Sequence, residues 1–170
     1  MRIIGIDPGY AIVGFGVIDT SPRGSVPLEF GVSLTEAGTD FGQRLLSIYT
    51  DIDFLFEKYK PDCIAIEKLF FTTNQKTAID VAQARGIILL LAAQKKIKLF
   101  EYTPLQVKQA VTGYGKAKKH QVMEMTRRLL TLTEIPKPDD AADALAIALC
   151  HAQNASRAAM LAKNPNKLSI

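Results

Sequence analysis

Four acidic residues stand where a globular chain seldom puts charge. Asp7 ends the apolar run RIIGID, Glu67 ends CIAIE, and Asp140 and Asp143 open the apolar stretch DDAADALAIAL. Carboxylates are rarely buried unless a cation or hydrogen-bond donors meet them. Acids at the carboxyl ends of two core strands, with two more one helical turn apart, make the donor set of a divalent-metal cage. Hard cations such as Mg2+ take oxygen ligands at about 2.0–2.1 Å and tolerate little distortion, so the carboxylates need rigid supports. Two such ions, about 3.5–4 Å apart, activate a water and stabilise the leaving oxygen in phosphodiester hydrolysis. Each acid alone has a plainer role. Asp7 before Pro8 and Gly9 can start a turn, and Glu67 beside Lys68 can be a surface charge. Asp139 or Asp140 can cap a helix after Pro138, and Asp143 can favour the helix dipole. Taken together, the four placements favour the metal site. Asp139 and Asp140 both share a helical face with Asp143, at i+4 and i+3, so spacing leaves the choice between them open.

The elements that must position these acids follow from the hydrophobic pattern. Arg2 to Asp7 and Ile12 to Asp19 read as strands joined by the turn PGYA. The first is nearly all apolar, as a strand covered on both faces should be. Val26 to Leu34 is a third strand after the link TSPRGS. Apolar residues at helical spacing predict a helix over Phe41 to Lys60, stopped by Pro61. Cys63 to Ile66 is a strand ending at Glu67. The loop LFFTTN leads to a helix over Lys76 to Lys95, and Lys98 to Tyr102 is a fifth strand. Helices follow near Leu105 to Val111, over Lys119 to Leu132 and over Asp139 to about Gln153. Three successive strands, then alternating helix and strand, then helices, imply an α/β fold with a mixed sheet flanked by helices.

A length of 170 residues suits one domain, with an apolar fraction of 48% and a charged fraction of 22%. Residues 1–155 are expected to form it, followed by a basic, mobile tail over 156–170. The net charge of +4 leans mildly towards a polyanionic partner. Cys63 and Cys150 sit in apolar segments without metal-ligand spacing, which argues against zinc and for small buried hydrophobes in a reducing cytoplasm. The longest apolar run, Ile87 to Ala93, is well short of the ~20 residues of a membrane span. Asp7 and Pro8 interrupt the place of a signal peptide's apolar core. An intracellular, cytoplasmic protein with no membrane contact is expected. Between Lys95 and Arg128, nine Lys or Arg (Lys95, Lys96, Lys98, Lys108, Lys116, Lys118, Lys119, Arg127 and Arg128) stand against Glu101 and Glu124. Such a run, with Lys116 and Lys118 in a Gly-rich loop, can clamp phosphates without reading sequence. His120 and His151 are expected at the surface.

The blocks GIDPGYAIVGFGVID, AIEKLFFTTN, AQARG, PLQVKQAVTGYGKAKKHQV and DAADALAIALCHA resemble, in the same order, those of the RuvC family of Holliday-junction resolvases. The resemblance covers nearly the whole chain, to about residue 155. It implies a ribonuclease-H-like fold with a five-stranded mixed sheet. It also implies a homodimer that binds four-way junction DNA and nicks two strands symmetrically, in recombination and repair. Each subunit of the family uses Mg2+ or Mn2+, here expected as one or two ions, held by four acids that match Asp7, Glu67, Asp140 and Asp143. The pattern D-A-A-D-A-L-A thus selects Asp140 and leaves Asp139 as the helix cap. Phe70 matches an aromatic that stacks on a base at the junction centre, a contact worth about 1–3 kcal/mol. Lys108 and Lys119 match basic residues at the active site, where Lys119 can stabilise charge developing on the phosphate. The helix carrying GIILLLAA is apolar on every side, so the face away from the sheet is expected to meet a second subunit. A RuvA–RuvB branch-migration complex is the implied partner. Three rival readings remain: an actin-like nucleotide hydrolase built on DPGYAIVGFG, for which the chain is short, a ribonuclease H acting on RNA/DNA hybrids, and a non-catalytic junction-binding protein.

Overall fold

Alternation along two short strands decides which way the acids face. The computed structural model describes residues 1–69 and 75–163. In β1 (Arg2–Asp7), Ile4 and Ile6 join one core cluster while Ile3 joins the other. In β4 (Cys63–Glu67), Ile64 and Ile66 go with the first, and Cys63 and Ala65 with the second. β1 and β4 are parallel neighbours with Ile6 opposite Ile66. With a side-chain period of two, Asp7 and Glu67 therefore leave adjacent strand ends towards the same face.

The sheet has the order β3-β2-β1-β4-β5. β2 (Ile12–Ser21) pairs antiparallel with β1 and with β3 (Gly24–Leu34), and β5 (Lys98–Tyr102) runs parallel to β4. The segment TSPRGS is mostly strand: Ser21 pairs with Gly24 across a tight hairpin whose Gly24 has φ +133°. α1 (Phe41–Tyr59) and α2 (Gln75–Gln94) cover one face. α1 buries Ile48, Ile52, Leu55 and Phe56 at helical spacing, is capped by the Asp40 side chain accepting from the Gly42 N–H, and ends at Lys60 in the left-handed region. The Thr77–Gln94 stretch of α2 has the composition of a membrane helix. It nonetheless buries Ala84, Ile88, Leu91 and Ala92 in the core beside α1.

α3 (Pro104–Thr112), α4 (Lys119–Leu129) and α5 (Asp139–Lys163) lie on the other face. α3 starts with a capping box between Thr103 and Gln106 and has Pro104 at its first position. α5 continues ten residues beyond the expected end at Gln153, because nothing in NASRAAMLAK breaks a helix. The segment expected as a mobile tail is thus helical to Lys163. α4 stops at Leu129, short of the expected Leu132, with Thr131 at φ +54°.

α5 comes unusually close to the sheet. A Cβ at Gly5 would lie 2.0 Å from the Ala144 carbonyl oxygen, and one at Gly14 would lie 2.1 Å from that of Asp140. Gly14 is the register partner of Asp7. The helix contributes alanines at 141, 142, 144, 146 and 148, all buried, so small residues on both sides allow backbone to rest on backbone. Gly14→Ala should therefore force α5 away from Asp7. The expected loss is about 2–3 kcal/mol, a fall of roughly 5–10 °C in the thermal midpoint. A calorimetric melt within 1 °C of the parent would sink this account.

Candidate active site

The close approach of α5 delivers its first turn to the strand ends that carry Asp7 and Glu67. Asp7 is acted on by Glu67, Asp143 and Asp140, so the four acids chosen from the sequence share one electrostatic neighbourhood. Burial pushes the Asp7 carboxyl up to about 8, with the three like charges adding to the effect. Glu67 is raised by burial and by Asp143, while a hydrogen bond from Asp7 draws it back down. Asp143 is raised by burial, against the pull of Lys119. Asp140, in the first turn of α5, sits beside Gly14.

Two lysines answer this negative charge. A cavity of about 210 Å³ is lined by Glu67, Lys108, Lys119 and Asp143 together with Pro104, Val107, Val122 and Ile147. Lys108 reaches it from α3 and Lys119 from the first residue of α4. The Lys119 ammonium lies 3.1 Å from Asp143 Oδ2 and 3.2 Å from Asp139 Oδ2. Burial lowers its proton affinity, but hydrogen bonds and attraction to Asp143 and Asp139 outweigh that, so its pKa is raised.

The donor set fits a hard divalent cation: every candidate ligand is a carboxylate oxygen, and their mutual repulsion is only partly offset by lysine. Among the described residues no three acids, cysteines or histidines are drawn into a closed ligand shell. Asp7, Glu67, Asp140 and Asp143 are the residues that could hold such an ion.

The surrounding basic run separates into parts. Lys95 is tied to Asp53 and Glu57 of α1, and Arg127 and Arg128 to Glu124. Lys116 and Lys118 are exposed in the loop before α4. Lys118 occupies the N-cap position of α4, where an ammonium cannot accept a hydrogen bond. Gln121 Oε1 accepts from the Lys118 N–H at 2.8 Å, leaving the lysine side chain outside the cap. Phe70, expected to stack on a base, lies outside the described residues.

Three placements differ from expectation or were missed. Asp139 is the first residue of α5 rather than its N-cap, and its carboxylate faces Lys119. His151, expected at the surface, is 4% exposed, because it continues the buried face of α5 one turn beyond Ile147. Its Nδ1 meets the Tyr102 hydroxyl at 2.7 Å and its ring stacks on Phe100 at 4.2 Å. His120 is exposed, as expected. Arg85 of α2 was not singled out. Its Nε donates to the Glu67 carbonyl at 3.4 Å and its guanidinium also pairs with Glu101, tying the ends of β4 and β5 to α2. Its position inside the block AQARG was the available signal.

Comparison with known proteins bears on both fold and family. The family model described as crossover junction endodeoxyribonuclease RuvC matches residues 3–151. The crossover junction endodeoxyribonuclease RuvC of Brevibacillus brevis is 55% identical over 153 residues, covering 90% of this chain and 92% of that protein. The structure of Thermus thermophilus RuvC superposes with a TM-score of 0.87 at 34% identity, covering 93% of this chain and 97% of the other. The same protein in complex with a Holliday junction substrate gives a TM-score of 0.88 over 93% of this chain and 96% of that one. The five-stranded mixed sheet flanked by helices is accordingly the ribonuclease-H-like fold expected from the sequence. The chain belongs to the RuvC family of crossover junction endodeoxyribonucleases.

Proposed function

We propose that this chain resolves four-way DNA junctions by nicking two strands through metal-assisted phosphodiester hydrolysis. One observation carries the reading: four carboxylates from distant parts of the chain meet at the carboxyl ends of the inner strands β1 and β4, beside two lysines and a lysine-bearing loop. Mg2+, for which Mn2+ is expected to substitute, as one or two ions per subunit, would be held by Asp7, Glu67, Asp140 and Asp143. Bound there, it would activate water and screen the phosphate. The protein's own groups do the rest. Lys108 and Lys119 place positive charge at the cavity for the strand being cut. Lys116 and Lys118 hold the backbone, and Phe70 is assigned to base stacking on the strength of the family resemblance.

The amino end of α4 supports a phosphate-facing surface. Lys118, Lys119 and His120 crowd the positive end of a helix dipole, an arrangement unfavourable for the helix and favourable for an anion.

A homodimer suits two coordinated incisions. On α2, Ile79, Gln83, Gly86 and Leu90 are exposed and fall on one stripe at helical spacing, with nothing within 4 Å of the Gly86 Cβ position. We assign this stripe to the second subunit. Cytoplasmic location and cooperation with a RuvA–RuvB complex go with the same reading.

With Mg2+ and a synthetic four-way junction, the parent should give paired symmetric nicks, and Asp7→Asn should bind the junction while cleaving roughly 10³-fold more slowly. Equal incision by both would remove Asp7 from the mechanism. The Asp7 carboxyl, raised to about 8 in the fold, weakens the protein as pH climbs. Below its unfolded pKa both states are neutral and nothing is lost. Between there and about 8 the unfolded chain ionises first, and above about 8 the penalty is complete. In EDTA, Asp7→Asn should therefore melt higher than the parent by roughly 4–8 °C at pH 9, and by little at pH 4. Lys118→Ser should raise stability by about 1 kcal/mol through a proper cap, yet weaken junction binding and flatten its salt dependence. Unchanged affinity would exclude Lys118 from the DNA surface. Leu90→Glu should shift sedimentation from dimer to monomer, and a persistent dimer would place the interface elsewhere.

A further inference from the structure

Asp139 stands at the rim of the acid cluster, where it acts on Asp143, and it holds one of the site's two lysines. The carboxylates that act on Asp7 are Glu67, Asp143 and Asp140, without Asp139, and Lys119 acts on it in the opposite sense. Asp139 does not line the cavity that Asp143 and Lys119 share. Its side chain is 58% exposed, and it is not the cap of α5. What it does is meet the Lys119 ammonium at 3.2 Å, from one helical turn before Asp143, which meets the same ammonium at 3.1 Å. Exposed ion pairs of this kind contribute little to stability, so the pair calls for another explanation.

We propose that Asp139 is a positioning residue that keeps the Lys119 ammonium at the active site once Asp143 is engaged by a cation. This rests on the metal-assisted reading above. A lysine side chain has four rotatable bonds and loses much rotamer freedom when held. With both carboxylates free, the ammonium is clamped between them. A cation on Asp143 withdraws one partner and repels the ammonium, and only Asp139 then restrains Lys119 on the side from which the phosphate arrives. Without Asp139, two things change. In the free protein Lys119 pairs with Asp143 alone and competes harder with the cation. In the loaded protein the ammonium returns to solvent, and its charge is no longer placed before the bond is cut.

The test compares the parent, Asp139→Asn, Asp139→Glu, Lys119→Met and the double variant Asp139→Asn/Lys119→Met as full-length proteins. Two readouts are used: Mn2+ affinity of the free protein by electron paramagnetic resonance, and single-turnover cleavage of a synthetic junction with Mg2+. Asp139→Asn is expected to slow cleavage about tenfold, with junction affinity within about twofold and an unchanged melt, and Asp139→Glu to recover most of the rate. Mn2+ should bind several-fold more weakly to Asp139→Asn and several-fold more tightly to Lys119→Met. In the Lys119→Met background, adding Asp139→Asn should change neither Mn2+ affinity nor rate. The proposal is overturned if Asp139→Asn has no effect in the parent. It is equally overturned if its effect is the same size in both backgrounds, as for a direct ligand or a general field. A parent that binds Mn2+ but leaves the junction uncut would overturn the nuclease reading, while the Mn2+ comparison still decides the role of Asp139.

Discussion

Contact between the backbone of α5 and the floor of strands β1 and β2 sets the position of the carboxylate cluster. Gly5 and Gly14 bring the sheet against the backbone of α5, Gly16 makes room for the Leu145 side chain, and the buried alanines of α5 add only methyl groups. That removes a layer which normally separates such elements by about 10 Å. Asp140 is thereby lowered onto the strand pair whose other member ends in Asp7. The site is a consequence of packing rather than an addition to it.

Electrostatics then works against the fold that packing has made. Carboxylates crowd the carboxyl ends of the inner strands, and burial and mutual repulsion raise the proton affinity of Asp7, Glu67 and Asp143. Lysines at the amino end of α4 oppose the helix dipole and forgo a cap. Both features are locally unfavourable and both become favourable beside a polyanion with its counter-cations. Conflict between local preference and global arrangement is concentrated at this one end of the sheet, in an otherwise consistent fold, as is common at functional sites.

The strands and the ends that carry Asp7 and Glu67 were legible in the sequence because they rest on hydrophobic patterning, whereas the choice of Asp140 over Asp139 came from the family pattern. Ile4-Gly5-Ile6 and Ile64-Ala65-Ile66 alternate in the two strands, and the structure shows that this alternation turns Asp7 and Glu67 to one face. Asp139 was not legible. Its neighbourhood in sequence reads as a cap, and its partner Lys119 lies across a helix–helix junction that no local pattern encodes. His151 was misplaced for a related reason: an imidazole at the far end of an alanine-rich helix looks exposed until Phe100 and Tyr102, from the edge strand, are known to cover it. α5 runs past Gln153 because the polar stretch that follows is rich in alanine and holds no Gly or Pro, so polarity alone does not stop the helix.

The order in which these groups occur along the chain has a consequence for biosynthesis. Asp7 and Glu67 leave the ribosome early and already lie on neighbouring strands, but Asp140 and Asp143 arrive on the last helix, which also supplies much of the core on its side of the sheet. Closure of that core and completion of the carboxylate set are a single event. A nascent or prematurely ended polypeptide that stops before α5 therefore exposes apolar sheet, a substrate for chaperones and proteases, while carrying only two of the four carboxylates.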